Sequence, residues 1–329
     1  GELPADVNPA AGFVATANDR IESFGAGIYL SSDFAPGYRA ERIRRVLSGP
    51  PPFSIQDFRK LQGDLHCIPA QRFVEAIDGF SAEDPAAKRL ISLLRNWDRR
   101  MAPDSVGAAV YAVLFFRLLE NTFRDEMGDL TERFFGVGLN AMQPLNRFSG
   151  HSRVILLSLI QEPGSVWFDD VRTPERETFG IVLEKSLKET AAFLKQRLGA
   201  DPKRWQWGRL HTVAIGHPLG RVKPLDRIFD IGPFAGGGHF CTVAQSSVMP
   251  GMDFSLNGWA VSNRHIYDLS NWDKSLGSIV PGQSGMIGSP HYQDQVDLWR
   301  QVKHHPLYFS KQKVEKTAVH VLELVPRKE

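Results

Sequence analysis

The hydrophobic positions change their spacing twice along the chain. Before residue 38 they fall in short clusters broken by glycine and small polar residues, with no helical period. Phe13 and Val14 follow Gly12 and precede the turn formers Asn18 and Asp19, which predicts a buried strand ending at a polar break. From Arg39 the period becomes helical. Ile43 and Leu47 lie one turn apart and predict a short helix over 39–47, stopped by the prolines at 50–52. Ser54 and Asp57 have the spacing of a capping box and predict another helix start. Further helices are predicted over 65–77 and 85–94, the second with Asp84 as cap and Pro85 in its first position. Residues 104–123 are apolar around most of the circumference, which predicts a helix buried on nearly all sides.

Residues 136–164 carry little periodicity, and Arg153 to Leu159 fits an apolar helix or a strand. Thr173, Pro174 and Glu175 then supply a cap, a first-turn proline and a first-turn acid, predicting a helix start there. Phe179, Leu183, Leu187, Ala191, Leu194 and Leu198 continue it at three- and four-residue steps, and Gly199 ends it. After Asp201 and Pro202 the pattern shifts to short alternating runs rich in glycine and aromatics. Strands are predicted at 240–244, 259–262, 265–269 and 319–325, with Ser310 capping a last short helix. The chain therefore reads as α+β: an extended segment at 1–50, a mainly helical stretch at 51–200 and a β-rich stretch at 201–329, together one structural unit.

Composition narrows the function classes. With 42% hydrophobic and 23% charged residues the chain is an ordinary globular one. A net charge of +2 is too balanced to argue for nucleic acid or a membrane surface. No run of about 18 apolar residues predicts a bilayer span. Cys67 and Cys241, far apart in sequence, make neither a disulfide framework nor a metal knuckle. Their apolar flanks predict buried thiols, with a single long-range disulfide left open.

Several constellations invite a chemical reading and fail it. Ser284, His291 and Asp294 hold the residue types of a serine triad, but the glycine spacing of a nucleophile elbow is missing and three neighbours in one loop rarely converge. Gly236, Gly237 and Gly238 lack the Lys-Ser/Thr of a phosphate loop. His211, His217 and the His304–His305 pair lack matching ligand spacing, so hydrogen-bonded structural histidines are expected at 211 and 217. Asp169 and Asp170 fit helix-entry capping as well as paired acids. Asn18, at the end of a predicted strand, can aim its amide N–H at a developing oxyanion, although capping a turn is the commoner role of such an Asn.

A wider pattern tips that balance. Residues 8–18 read NPAAGFVATAN and residues 36–43 read PGYRAERI. Trp97 and Asp98 precede the long apolar helix. Trp205, Trp207, Gly208 and His211, then His217, Pro218 and Leu219, follow at fixed spacing. Pro281 to Gly285, Ser289 to Gln295 and Trp299 complete the set. Together these resemble the β-chain of the penicillin acylase (penicillin amidase) family of N-terminal-nucleophile hydrolases, over nearly the whole chain. The resemblance implies an αββα sandwich with a helical insert and a β-rich C-terminal region. It implies hydrolysis of an acyl amide of the penicillin, cephalosporin-type or acyl-homoserine lactone class, with no organic cofactor. Asn18 would supply an oxyanion-hole donor and Arg39 would organise the site. A structural calcium is often present in the family, and Asp33 lies near one matching position.

The family's nucleophile is an N-terminal Ser lying upstream of the stretch seen here, and Gly1 has no side chain to attack with. The resemblance thus implies as partners an upstream segment carrying the Ser and a separate α-chain, and this chain alone is expected to be catalytically silent. Localisation in the periplasm or outside the cell follows from the same resemblance. A piece of a sandwich should expose apolar sheet edges, which predicts self-association. The alternative reading is a folded, non-catalytic relative that binds a ligand or partner.

Overall fold

The computed structural model describes residues 5–20, 29, 31, 33–140, 143–146, 148–248 and 251–326. Its chain groups into two compact units, one of residues 1–51 with 64–260 and one of residues 52–63 with 261–329. These cuts fall at other places than the changes in composition.

The first unit is built on helices. α1 spans Tyr38–Leu47, α3 Ile68–Ala76, α4 Pro85–Arg95, α5 Val106–Met127, α6 Thr131–Phe135, α7 Phe148–Leu159 and α8 Phe179–Leu198, while α2, Ile55–Gln62, belongs to the other unit. α4 starts as expected, with the Asp84 carboxylate accepting from the N–H groups of Ala86 and Ala87 and Pro85 following. α5 is the axis. Residues from Gly107 to Phe116 along it are all buried, so its N-terminal half has no solvent face, and α4 and α8 pack against the helix. Phe73, Tyr111 and Phe115 form an aromatic cluster beside it, with ring centroids 5.4–5.9 Å apart. Trp97 closes one end by lying on the backbone of Gly107. A Cβ there would sit 2.2 Å from the indole, so only glycine fits. By length and mean hydropathy this stretch could cross a bilayer, contrary to the sequence criterion, but 78% of its most apolar window is buried inside the protein. It is the core helix of the unit.

Short antiparallel pairs flank the helices. β1 (Val137–Asn140) pairs with β2 (Gln143–Leu145), β3 (Thr212–Ile215) with β4 (Ile231–Ala235), and β5 (Ser246–Val248) with β6 (Leu256–Ala260). The stretch that sequence left open between helix and strand is helical, as α7.

The second unit holds the three-stranded antiparallel sheet β7 (Asn263–Ile266), β8 (Leu276–Ile279) and β9 (His305–Pro306), with α2 beside β7. The Ser54–Asp57 capping box is complete in both directions. Gln62 ties α2 in, donating to the His265 carbonyl and meeting His304 Nε2 at 2.8 Å. Trp299 donates to the Val261 carbonyl, and the Arg264 guanidinium donates to the Trp299 carbonyl while lying 5.4 Å from its ring.

Four expectations need correcting. Phe13 and Val14 form no strand. Val14 is 66% exposed, and no described segment pairs with its backbone, so the ladder that would make it a strand is missing. Residues 240–244 form a turn, with β5 starting only at Ser246. Residues 319–325 lie exposed and unpaired among the described residues. α8 starts at Phe179, not at Pro174, because the intervening loop satisfies its polar groups locally. Asp170 takes two bonds from the Arg172 guanidinium, both at 2.7 Å, and Asp169 accepts from the Glu177 N–H. The two acids brace a loop and cap no helix.

Candidate active site

The basic run in α1 distributes its four guanidiniums among different tasks. Arg42 makes two bonds to the Asp64 carboxylate, at 2.9 and 2.7 Å. Arg44 meets Asp19 at 2.7 Å, and Arg45 pairs with Glu41 one turn back. Among the described residues, Arg39 alone takes no carboxylate. Its Nη2 donates to the Ala17 carbonyl and to the Asn18 side-chain oxygen, each at 2.9 Å.

That second bond fixes the orientation of the Asn18 amide. A guanidinium only donates, so the atom facing it must be Oδ1. Nδ2 is turned away as a donor, and it bonds to none of the described residues. The backbone is also constrained. Asn18 has φ of +63°, in the left-handed region that few residues other than glycine enter, and its carbonyl accepts from the Ala35 N–H at 2.8 Å. Asp19 braces the same turn. Its burial opposes the carboxylate charge, but the Ala17 N–H and the Arg44 guanidinium outweigh this and hold its carboxyl below the usual range. Burial also lowers the pKa of Arg39 from its ordinary value, with Cys241 and Asp19 acting in the other direction.

Asn18 and Arg39 share a cavity of about 260 Å³, whose lining includes Arg153, Phe240, Gln245 and Ser247 and, among the described residues, no carboxylate. Arg153, from α7, is only 8% exposed. It donates to the Ser149 carbonyl and lies 4.8 Å from the Phe240 ring centre. Burial pulls its pKa down as well. Two guanidiniums and several neutral amide and hydroxyl groups therefore face one space. Such a space accepts polar or anionic groups beside the Asn18 amide. Sequence reading missed Arg153, Gln245 and Ser247. Arg153 lies where periodicity was weak, and Gln245 and Ser247 border the turn misread as a strand.

The floor beneath β5 is held by His211. Its ring stacks on Trp207 at 4.8 Å. Nδ1 meets the Phe254 carbonyl at 2.8 Å and so carries the hydrogen, which leaves Nε2 to accept from the Ser246 hydroxyl at 2.7 Å. Burial lowers the His211 pKa to about 4, and the ring is neutral. This is the hydrogen-bonded structural histidine that was expected. His217 also has a backbone role, its Nδ1 accepting from the Leu219 N–H beside the Phe229 ring.

The other candidates stay apart. His291 and Asp294 pair at 2.8 Å, but Ser284 offers His291 only its backbone N–H, and its hydroxyl accepts from the Met286 N–H. No triad forms. The glycines at 236–238 lead into the turn at 239–242 and not into a helix. Asp33 is exposed and turns on Ser31. Among the described residues, the one group of three donor side chains within reach of a common ion is Cys67, His239 and Cys241. Sulfur and imidazole are unsuited to calcium, which takes several oxygens, so these donors do not fit that ion. The sequence reading saw no metal knuckle in the two cysteines because their proximity is entirely tertiary.

Comparison with known proteins gives this arrangement its context. The model of the penicillin amidase family matches residues 1–316. The acyl-homoserine lactone acylase QuiP of Pseudomonas aeruginosa PAO1 is 26% identical over 95% of this chain and 39% of its own length. The penicillin acylase 2 proenzyme of Pseudomonas sp. SE83 is 27% identical over 98% of this chain and 40% of its own. The chain thus spans about two-fifths of the curated relatives it matches. The thermostable penicillin G acylase from Alcaligenes faecalis superposes on 98% of this chain and 58% of its own, with a TM-score of 0.58 at 16% identity. That likeness shows a shared α+β fold. With the family's model extending over nearly all of its length, this chain belongs to the penicillin amidase family.

Proposed function

We propose that this chain forms the oxyanion-binding side of a site that hydrolyses acyl amides, with the attacking group supplied by an N-terminal Ser outside these 329 residues. The observation that carries this reading is the Arg39–Asn18 bond. It leaves a side-chain amide donor, held in a left-handed turn, directed away from the arginine at the edge of a cavity lined by both polar and apolar groups. A donor positioned before the reaction stabilises the oxyanion without reorganising, and this is commonly among the largest contributions to acyl transfer.

In the proposed reaction the Ser hydroxyl attacks the amide carbonyl while its own α-amino group, with a pKa of about 8, takes the proton. Asn18 Nδ2 donates to the resulting oxyanion. Arg39 positions Asn18 and does not touch the reacting atoms. Collapse expels the amine and leaves an acyl-enzyme, which water then hydrolyses. The relatives' names support amide hydrolysis as the class, and they divide between penicillins and acyl-homoserine lactones as substrates.

The test uses the full-length protein with a penicillin, a cephalosporin-type amide and an acyl-homoserine lactone. Asn18→Ala is expected to lower kcat by roughly 10²–10³ with KM little changed. Full turnover by that variant would remove Asn18 from the mechanism.

A further inference from the structure

Cys67 and Cys241 play no part in the proposed chemistry, yet the fold brings them together with care. Their sulfurs lie 2.9 Å apart, and the residues are 0% and 2% exposed. Two sulfurs that are not bonded to each other do not normally approach so closely.

The approach is set by backbone on both sides. Cys67, just before α3, donates its N–H to the Arg99 carbonyl, and the Met101 N–H donates to Leu65. The opposite side of that same short segment receives the second cysteine's turn, with the Gly238 N–H donating to Met101. The Ala244 N–H then donates to the Asp64 carbonyl, stitching the two cysteine-bearing segments directly. Within the turn, the His239 N–H donates to the Thr242 hydroxyl, which donates in turn to the Ala244 carbonyl. Gly238 allows this path. Its φ is +88°, and a Cβ there would meet the Ala244 carbonyl oxygen at 2.3 Å.

We propose that Cys67 and Cys241 are a disulfide site, oxidised during folding, that cross-links the start of α3 to the 239–242 turn. The reaction is thiol–disulfide exchange with a small disulfide such as oxidised glutathione. One cysteine, as thiolate, attacks the small disulfide, and one glutathione leaves. The second cysteine then attacks the mixed disulfide, the Sγ–Sγ bond forms and the second glutathione leaves. The two cysteine protons end on the two glutathione thiols.

Exchange has to happen before the core closes. In the finished fold burial raises the Cys241 thiol well above its ordinary pKa, and no oxidant reaches either sulfur.

A soft metal held by the same three side chains is the competing occupant. Tetrahedral zinc with Zn–S bonds of ~2.3 Å would hold its two sulfurs roughly 3.7 Å apart, well beyond the distance here. The buried Arg153 guanidinium also acts on both thiols, which disfavours adding a second cation beside them. The proposal is independent of the catalytic reading, since it concerns the scaffold and needs no substrate.

The full-length protein is to be produced with oxidised glutathione, denatured in N-ethylmaleimide without reductant and digested with trypsin. The expected product is one species joining peptides 61–72 and 228–264, lower in mass by two hydrogens and separated by dithiothreitol. Native protein should release it to dithiothreitol at least about tenfold more slowly than protein in urea, because the bond is buried. Maleimide on both cysteines before reduction would overturn the proposal. So would stoichiometric zinc or copper whose removal exposes both thiols. Cys67→Ser should leave Cys241 open to maleimide in denaturant, and the wild-type peptide map decides the question if that variant does not fold.

Discussion

The α5 core and the Asn18 turn hold their residues in opposite ways. The N-terminal half of α5 is fixed by apolar packing on every side, with Trp97 on Gly107 at one end and the Phe73–Tyr111–Phe115 cluster beside it. The Asn18 turn has almost no packing of its own. Val14 is exposed, and the turn's shape comes from the Arg39 and Arg44 guanidiniums, the Asp19 carboxylate and the Ala35 N–H. The core can absorb a polar change far from it, whereas the turn depends on a few directional bonds. Stability and function should therefore separate under mutation.

Phe73→Ala should break the core half of the comparison. Phe73 is fully buried, and such truncations cost about 3–5 kcal/mol. The thermal midpoint of the full-length protein should fall by several degrees, and an unchanged midpoint would show that the cluster is not the structural axis. Asn18→Ala should do the reverse, with a loss of kcat equivalent to about 2.7–4 kcal/mol and a midpoint close to wild type. If that midpoint also collapsed, the turn would be a structural element first.

His211 allows a test through pH. Its folded pKa of about 4 lies below the ordinary value of 6.5, so the unfolded chain binds the proton more tightly. Its contribution to stability is complete above pH 6.5, declines as pH falls and is lost by the folded pKa of about 4. The loss is of order 3 kcal/mol. Hydrogen exchange at residues 246–254 should speed up across that window, and a flat profile would place the ring elsewhere. The smallest effect belongs to Arg44→Ala. Its guanidinium is half exposed, so the Asp19 pair contributes no more than about 1 kcal/mol to stability. The change should instead raise the Asp19 pKa, readable by NMR titration, and loosen the turn enough to lower kcat modestly.

The helices were legible because their signals are local. The Asp84–Pro85 start, the Ser54–Asp57 box and the α8 leucines need only residues within a turn or two of one another. The strands were less so. A strand exists only with a partner, and the apolar pair at 13–14 and the alternation at 240–244 and 319–325 do not name one. The site lay between these cases. Asn18 and Arg39 were singled out through the family pattern, and the bond between them, across 21 residues, needed the fold. Arg153, Gln245 and Ser247 carried no comparable signal, since an arginine in a weakly periodic stretch reads as surface until the chain around it is placed.

By itself the sequence determined the helical framework, the fold class and the family, because capping chemistry, apolar period and motif residues are properties of neighbouring positions. Only the tertiary structure decided which way the Asn18 amide faces, that Arg153 borders the same cavity, and that Cys67 meets Cys241. Each of these depends on segments 21 to 174 residues apart being brought into contact. The direction of a hydrogen bond and the approach of two sulfurs are set by geometry in space, to which spacing along the chain is blind.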